Sequence, residues 1–285
     1  MNERLWLSLM RCIPKRTISR IFGRMARQRW TRHFIPLYVK MYDIDTQELA
    51  KDLSYYAHLT DFFVRKLKPA SRQVDKAPNS VVSPVDGTVL QLGKIEGNRL
   101  IQAKGHDFTV EELLQGDRVK ASIFQGGYFL TLYLSPKDYH RVHAPISGLI
   151  TQMIHQPGTL FPVNERGVRL VKQLYVNNER VATFMQTLFG TMALVKVGAT
   201  NVGSVKVSYD ERVQTNVARG KAMTQLYEPP IPVQKGEEIG WFEFGSTVIL
   251  LFPPDAITFL PNLRPGSTVR MGEAVGRTLH DKGGL

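Results

Sequence analysis

The sequence predicts an α+β protein in which N-terminal amphipathic helices precede a mainly antiparallel β-body of sandwich or barrel-like form. Three observations carry this. Residues 1–67 set apolar side chains at helical spacing, whereas from Lys68 onward short apolar runs alternate with Gly, Pro, Asn and Asp turns. Positive charge is concentrated: residues 1–40 hold ten Lys/Arg against Glu3 alone, a charge of +9, which leaves +3 of the total +12 for the other 245 residues. Hydrophobic residues make up 43% of the 285, enough for a sizeable core. The division expected is a helical membrane-association region, 1–67, and a β-rich catalytic domain, 68–285.

In the helical region Leu5, Leu9, Cys12 and Ile13 share one face until Pro14 breaks the run. Thr17 is placed to cap a second helix, with Ile18, Ile21, Phe22 and Met25 on one side and Arg16, Arg20, Arg24 and Arg27 on the other. Asp45 with Glu48 reads as a capping box for a short helix, and Thr60–Leu67 as another short helix. Every 18-residue window of residues 1–40 holds at least four charges, and each costs about 2.5 kcal/mol or more at a membrane helix centre, so no span is expected there. The apolar stretch Leu5–Met10 is too short for a secretory signal, while an Arg-rich, acid-poor arm also suits a mitochondrial presequence. A basic amphipathic pair fits a membrane interface, where each Lys/Arg contributes about 1 kcal/mol near an anionic leaflet. The plainer alternative is a packing helix with a solvated basic face.

The body begins with strand-like runs such as residues 81–93, Tyr128–Leu134, 193–207 and 241–252. One helix is expected among them, at about Val110–Gln115, where Thr109 and Glu112 match a capping box. Two internal echoes occur. Residues 83–89 and 143–150 each read as a Pro-x-x-Gly turn feeding a strand, and residues 235–240 (KGEEIG) match 271–276 (MGEAVG). Such turns suit a curled sandwich of the biotinyl-carrier kind. Cys12 is the sole cysteine, so no intrachain disulfide can form, and no Cys/His zinc spacing is present.

Three islands carry chemistry: Pro84–Gly87 (PVDG), Asp138–Pro145 (DYHRVHAP) and Phe244–Thr247 (FGST). Gly245-Ser246 sits between apolar strand residues rather than at a loop tip, and glycine there marks a close approach of backbone. A residue without a side chain leaves the Gly245 carbonyl open to the Ser246 hydroxyl. His140 and His143 could ligate a metal on a helix, but prolines bracket them and no further ligand motif completes a site, so no metal is expected. Asp86-Gly87 alone would be a hairpin turn. Together, a serine, a histidine able to take its proton and an aspartate able to orient that histidine are the parts of an activated nucleophile.

With these islands in place the chain resembles the phosphatidylserine decarboxylases of the bacterial, membrane-associated type. The resemblance runs through Phe62–Arg65, Pro84–Gly87, Leu92–Ile95, Gln102–His106, Tyr133–His143, Pro157-Gly158, Asn178–Arg180, Val197–Gly203 and Gly245–Thr247. Phe244 departs from the leucine more usual in the family and leaves the Gly-Ser-Thr chemistry intact. The resemblance implies an Asp86–His143–Ser246 triad for self-cleavage between Gly245 and Ser246. It implies a chain 1–245 and a chain 246–285 that remain together as a heterodimer, with room for a dimer of such heterodimers. It further implies that Ser246 becomes a covalent pyruvoyl group, the cofactor that takes the substrate amine, with His140 or His143 as proton donor during decarboxylation. Phosphatidylserine and a phospholipid membrane are the implied partners, and the cytoplasmic face of the inner membrane the implied location.

Three other readings fit less of the chain. A carrier module needs a modifiable lysine in a Met-Lys-Met or Asp-Lys-Ala setting, and a serine hydrolase of the elbow type needs Gly-x-Ser-x-Gly. Neither motif is present. Nucleic-acid binding, suggested by the basic arm, has no supporting motif, and no nucleic acid is expected.

Overall fold

The run Ser246–Phe252 shows no polar alternation. The computed structural model, which describes residues 3–103, 106–200, 204–213, 215–217 and 220–279, gives the reason: this strand is buried along its whole length. It lies inside an eight-stranded antiparallel sheet, hydrogen-bonded to Tyr128–Leu134 on one side and Gly190–Gly198 on the other. Gly87–Lys94 and Thr268–Val269 continue the sheet beyond the first neighbour. Arg180–Thr187, Gly148–Gln156 and the edge strand Met223–Val233 continue it beyond the second.

Both faces of the sheet are covered. Val248 and Leu250 point into a core with Leu132, Val142, Ile239 and Phe242, built against two three-stranded sheets. Ile249 and Leu251 point the other way, into a core with Phe108, Val110, Val168 and Leu174. Each such side chain contributes roughly 1.5–3 kcal/mol by burial. The second core is closed by helices, of which only one was anticipated. The capping box of Thr109 and Glu112 is formed, with the Glu112 N–H donating to Thr109 Oγ1 at 3.1 Å and the Thr109 N–H to the Glu112 carboxylate at 2.9 Å. That helix stops at Leu113, and Arg118–Ile123, Glu165–Leu170 and Leu174–Asn177 are additional. Four to six residues are too few to display a 3.6-residue period.

The sequence echoes are one repeated piece of structure. In the turn at Lys235–Glu237 the Gln234 N–H donates to the Glu237 carboxylate at 2.9 Å, and in the turn at Met271–Glu273 the Arg270 N–H donates to Glu273 at 2.9 Å. The first turn exchanges backbone bonds with Ala144, Gly236 N–H to Ala144 O and Ala144 N–H to Glu237 O, both 2.8 Å. The second does the same with Ser83, at 3.0 and 2.8 Å. Gly236 and Gly272 have φ of 83° and 91°, and the linker at Gln73-Val74 passes so close that a Cβ on either would meet it at 2.6 Å.

The N-terminal region holds α1 (Glu3–Cys12), α2 (Lys15–Ala26), α3 (Ile35–Tyr42) and α4 (Leu59–Phe63). Pro14 does separate the first two, but α2 starts at Lys15 without a side-chain cap, and Thr17 lies inside it. Asp45 binds the Gln47 N–H at 2.8 Å in a turn rather than opening a helix, because the Glu48 carboxylate is drawn to Arg72 at 2.9 Å. The helix expected at Thr60–Leu67 is the shorter α4, capped by the His58 ring, whose Nδ1 accepts the Asp61 N–H at 3.0 Å. Ile35, Ile44, Leu49, Tyr56 and Phe62 form a small core of their own. The side chains of Leu5 and Leu9, and Lys104, Gly105 and Asn201–Gly203 of the motifs above, lie outside the described residues.

One outcome reverses a natural expectation. In α2 the side set against the body is Lys15, Ser19, Gly23 and Ala26, while Ile18, Ile21 and Met25 are exposed. Trp30, Phe34, Leu37 and Met41 extend the exposed apolar surface. Among the described residues no helix is long and apolar enough to cross a membrane.

Candidate active site

Ser246 opens the central strand, with Leu134 and Gly198 as its cross-strand neighbours. Its side chain is fully buried, and Oγ has no hydrogen-bond partner among the described residues. An orphaned buried hydroxyl costs about 1–3 kcal/mol, so it marks a place where stability is not the governing requirement. The residues before it are held firmly. Glu243 takes the Arg27 guanidinium and the Ser204 hydroxyl, the latter at 2.7 Å, and its N–H reaches the Ser204 carbonyl at 2.9 Å. Phe244 stands at φ 92°, a conformation that costs a residue with a Cβ about 1–3 kcal/mol. Its ring is fixed by Phe22 at 5.1 Å and Phe63 at 4.4 Å.

Gly245 is less constrained than its neighbours. A Cβ there would meet nothing within 4 Å, and the residue lies on the wall of a cavity of about 400 Å³ with Phe63, Tyr133 and Phe244. The strain in this turn therefore belongs to Phe244, and the openness beside the Gly245–Ser246 bond does not depend on glycine for steric reasons. Phe22, Tyr38 and Leu59 line this cavity and also a wholly apolar groove of about 300 Å³ that reaches Trp30, Leu37 and Met41. The two cavities thus lie side by side, sharing Phe22, Tyr38 and Leu59, one opening on the exposed face of the helical region and the other on Gly245.

His140 approaches the same turn. Its carbonyl accepts the Phe242 N–H at 3.0 Å, and its ring lies 4.1 Å from Phe63, the ring that also contacts Phe244. Nδ1 is 2.8 Å from the Asp138 carbonyl, and since a carbonyl only accepts, Nδ1 carries the proton and Nε2 is a bare acceptor, buried and unpartnered. Burial first, and the nearby Arg65 guanidinium second, push the pKa down to about 3. His140 is thus a neutral acceptor in the uncut chain. That narrows its expected role as proton donor to a later state, in which Nε2 has first gained a proton.

His143 adopts the same tautomer by the same device, with Nδ1 2.8 Å from the Gly236 carbonyl. Its Nε2 is 3.2 Å from the Tyr139 hydroxyl. Burial lowers its pKa against the pull of that carbonyl and of Glu238. The sequence reading gave Asp86 the task of orienting this imidazole, but here the Gly236 backbone does it. Asp86 instead accepts from Arg72 Nε at 2.9 and 3.0 Å, from Arg72 Nη2 at 2.5 Å and from the Met271 N–H at 2.8 Å. Its negative charge still raises the pKa of His143.

The backbone brings the three segments to one end of the sheet. The His143 N–H donates to the Pro84 carbonyl at 2.8 Å, and Gly87 packs on Tyr133 beside Leu134, the residue paired with Ser246. No hydrogen bond joins Asp86, His143 and Ser246 side chains to one another among the described residues. The repeated turns explain the placement: one supplies Gly236 to His143 and the other Met271 to Asp86. Sequence reading missed Tyr139, Gly236 and Arg72. The turn echo was the available signal for Gly236, and Tyr139 stood between the two histidines without a motif of its own. Among the described residues no three His, Cys, Asp or Glu side chains gather as a metal ligand set.

Comparison with known proteins covers almost the whole chain. A family model described as phosphatidylserine decarboxylase matches residues 59–277. A protein of Brevibacillus brevis named phosphatidylserine decarboxylase proenzyme is 44% identical over 276 residues, 96% of this chain and 98% of its own. Proteins of the same name from Anaeromyxobacter and Pseudomonas fluorescens are 44% and 41% identical, each over at least 97% of this chain and 99% of their own.

Proposed function

The chain belongs to the phosphatidylserine decarboxylase family, and from that premise we propose that it cuts itself before Ser246 and then decarboxylates phosphatidylserine in phospholipid synthesis. The observation that carries the first step is the Ser246 hydroxyl, buried and unpartnered, directly after a strained turn. His143 Nε2 takes the hydroxyl proton while Oγ attacks the Gly245 carbonyl. The C–N bond breaks, leaving an ester and a free amine. Asp86 contributes through its charge, which favours the imidazolium that forms. Loss of the Ser246 α-proton then expels the Gly245 carboxylate and leaves dehydroalanine, and addition of water to its imine tautomer releases ammonia and leaves a carbonyl at residue 246.

The residues fit a pyruvoyl group at this position, since Ser246 Oγ has no hydrogen-bond partner among the described residues and the space beside Gly245 is open. Once formed, that group supplies a carbonyl that holds the substrate amine and accepts the electron pair left by carbon dioxide. The chain's own residues do the rest. Phe63 and Phe244 wall the site with apolar surface. His140 Nε2 is the acceptor, and after protonation the donor, nearest that wall. Chains 1–245 and 246–285 stay associated because Ser246–Phe252 keeps strands on both sides.

The exposed apolar stripe of α2 and α3, with its surrounding arginines, is the proposed contact with an anionic bilayer at the cytoplasmic face. The substrate's acyl chains would lie along the apolar groove at Trp30, Leu37 and Met41, beside the cavity that holds Gly245.

Intact mass of the purified protein should show two chains divided at residues 245 and 246, the smaller resistant to Edman sequencing. Ser246→Ala should remain whole and inactive. A single uncut chain with full decarboxylase activity would reject the mechanism.

A further inference from the structure

We propose that Tyr139 is a latch on self-processing: its hydroxyl occupies the basic nitrogen of His143 and holds the uncut chain back from reaction. The inference rests on His143 being the base for Ser246. Nδ1 of His143 is committed to the Gly236 carbonyl at 2.8 Å, so the only lone pair on the ring is at Nε2. That is the atom facing the Tyr139 hydroxyl at 3.2 Å. Burial pushes the tyrosine pKa up to about 12, so the O–H keeps its proton and donates. The two rings lie 5.6 Å apart at 30°, both buried.

His140 provides the contrast within the same motif. It has the same tautomer, imposed by the Asp138 carbonyl, yet its Nε2 is unpartnered. Of two histidines three residues apart, the one that must act as base is the one whose lone pair is covered. The proton it would take, on Ser246 Oγ, has no acceptor among the described residues. In the uncut chain the lone pair of His143 is thus engaged by the Tyr139 hydroxyl and not by Ser246. Release has somewhere to go. Tyr139 borders a cavity of about 200 Å³ that also takes in Asp86 and Arg72, so the hydroxyl can swing away while the Gly236 bond still holds the imidazole. Tyr139 is therefore a positioning residue for the maturation step, acting through His143.

The test uses full-length precursor made by cell-free synthesis, with its conversion to two chains followed in time. Tyr139→Phe keeps the ring and removes the hydroxyl. A neutral hydrogen bond of this kind should slow the step by about two- to tenfold, so processing should quicken by that factor. Tyr139→Leu removes ring and hydroxyl and should quicken it as well. If Phe matches the wild type and only Leu differs, ring packing matters and the latch is wrong. Slower processing in both variants overturns it too, because the hydroxyl would then be assisting. His143→Ala, run in parallel, separates this from the underlying reading. If that variant still cleaves itself, the assignment of the base has failed, whatever Tyr139 does.

Discussion

The helix α2 and the strand Ser246–Phe252 use hydrophobic residues in opposite ways. In the strand all seven residues are buried, polar Ser246 and Thr247 included. In α2 the large apolar residues Ile18, Ile21 and Met25 face outward, and Lys15, Ser19, Gly23 and Ala26 face the body. Lys15 even lowers its pKa by burial, with its ammonium on the Met10 carbonyl and 4.2 Å from the Phe161 ring centroid. Small residues on the inner side let α2 come close to Phe244 and Glu243, and the bulky ones are left exposed. The strand's hydrophobicity serves folding, and the outward stripe of α2 is the part of the arm's that folding does not use.

The largest test of that contrast pairs one change in each region. Leu250→Ala should destabilise the uncut Ser246→Ala precursor by about 2–5 kcal/mol, because its buried site cannot collapse. Met25→Ala, at a site 47% exposed, should stay within about 0.5 kcal/mol in the same urea titration. On anionic vesicles the ranking should invert, with Met25→Ala combined with Leu37→Ala losing about tenfold or more in partitioning. Were the arm pair to lower stability as much as Leu250→Ala does, the outward stripe would be a folding surface and the contrast would dissolve.

A second test uses acid. The buried neutral His140 has a folded pKa of about 3 against 6.5 when free. A base whose folded pKa is depressed contributes its full stability above the unfolded value and loses it as pH falls towards the folded one. From this ring alone the uncut precursor should lose stability as pH falls below 6.5, by on the order of 1 kcal/mol per unit once the unfolded ring is fully charged. His140→Leu in that background should flatten the slope over pH 6.5–5, and an unchanged slope would place the acid sensitivity elsewhere.

What the sequence disclosed follows the same division. The strand was legible because a seven-residue run without polar alternation, rich in β-branched Thr247, Val248 and Ile249 and bounded by Gly245 and Pro253, is too short for a buried helix. The faces of α2 were legible too, but a helical period states only that two faces exist, and nothing local says which one meets the body. The repeated Gly-Glu turns could be read as turns, whereas their service to His143 and Asp86 depends on pairing across 93 and 185 residues. Short helices such as Leu174–Asn177 carry no period at all. Phe244 looked like a harmless exchange for leucine, and only its φ of 92° reveals that the turn is strained there rather than at Gly245.

The smallest expected effect concerns the joint between the two regions. Arg27 reaches from the arm to Glu243, two residues before Gly245, with its side chain 45% exposed and the carboxylate 11% exposed. Such a pair is worth less than about 1 kcal/mol, and salt weakens it. Glu243→Gln keeps the shape and can keep the Ser204 hydroxyl bond while removing the charge. Thermal unfolding should therefore barely move. Trypsin cutting at exposed Arg29 and Arg32 should quicken, and it should lose the salt dependence that the wild type shows. Self-cleavage should continue, because Phe22 and Phe63 still hold Phe244 from either element. If the charge alone proves necessary for cleavage, the arm is part of the reacting turn, and its outward stripe and the buried strand belong to one cooperative unit.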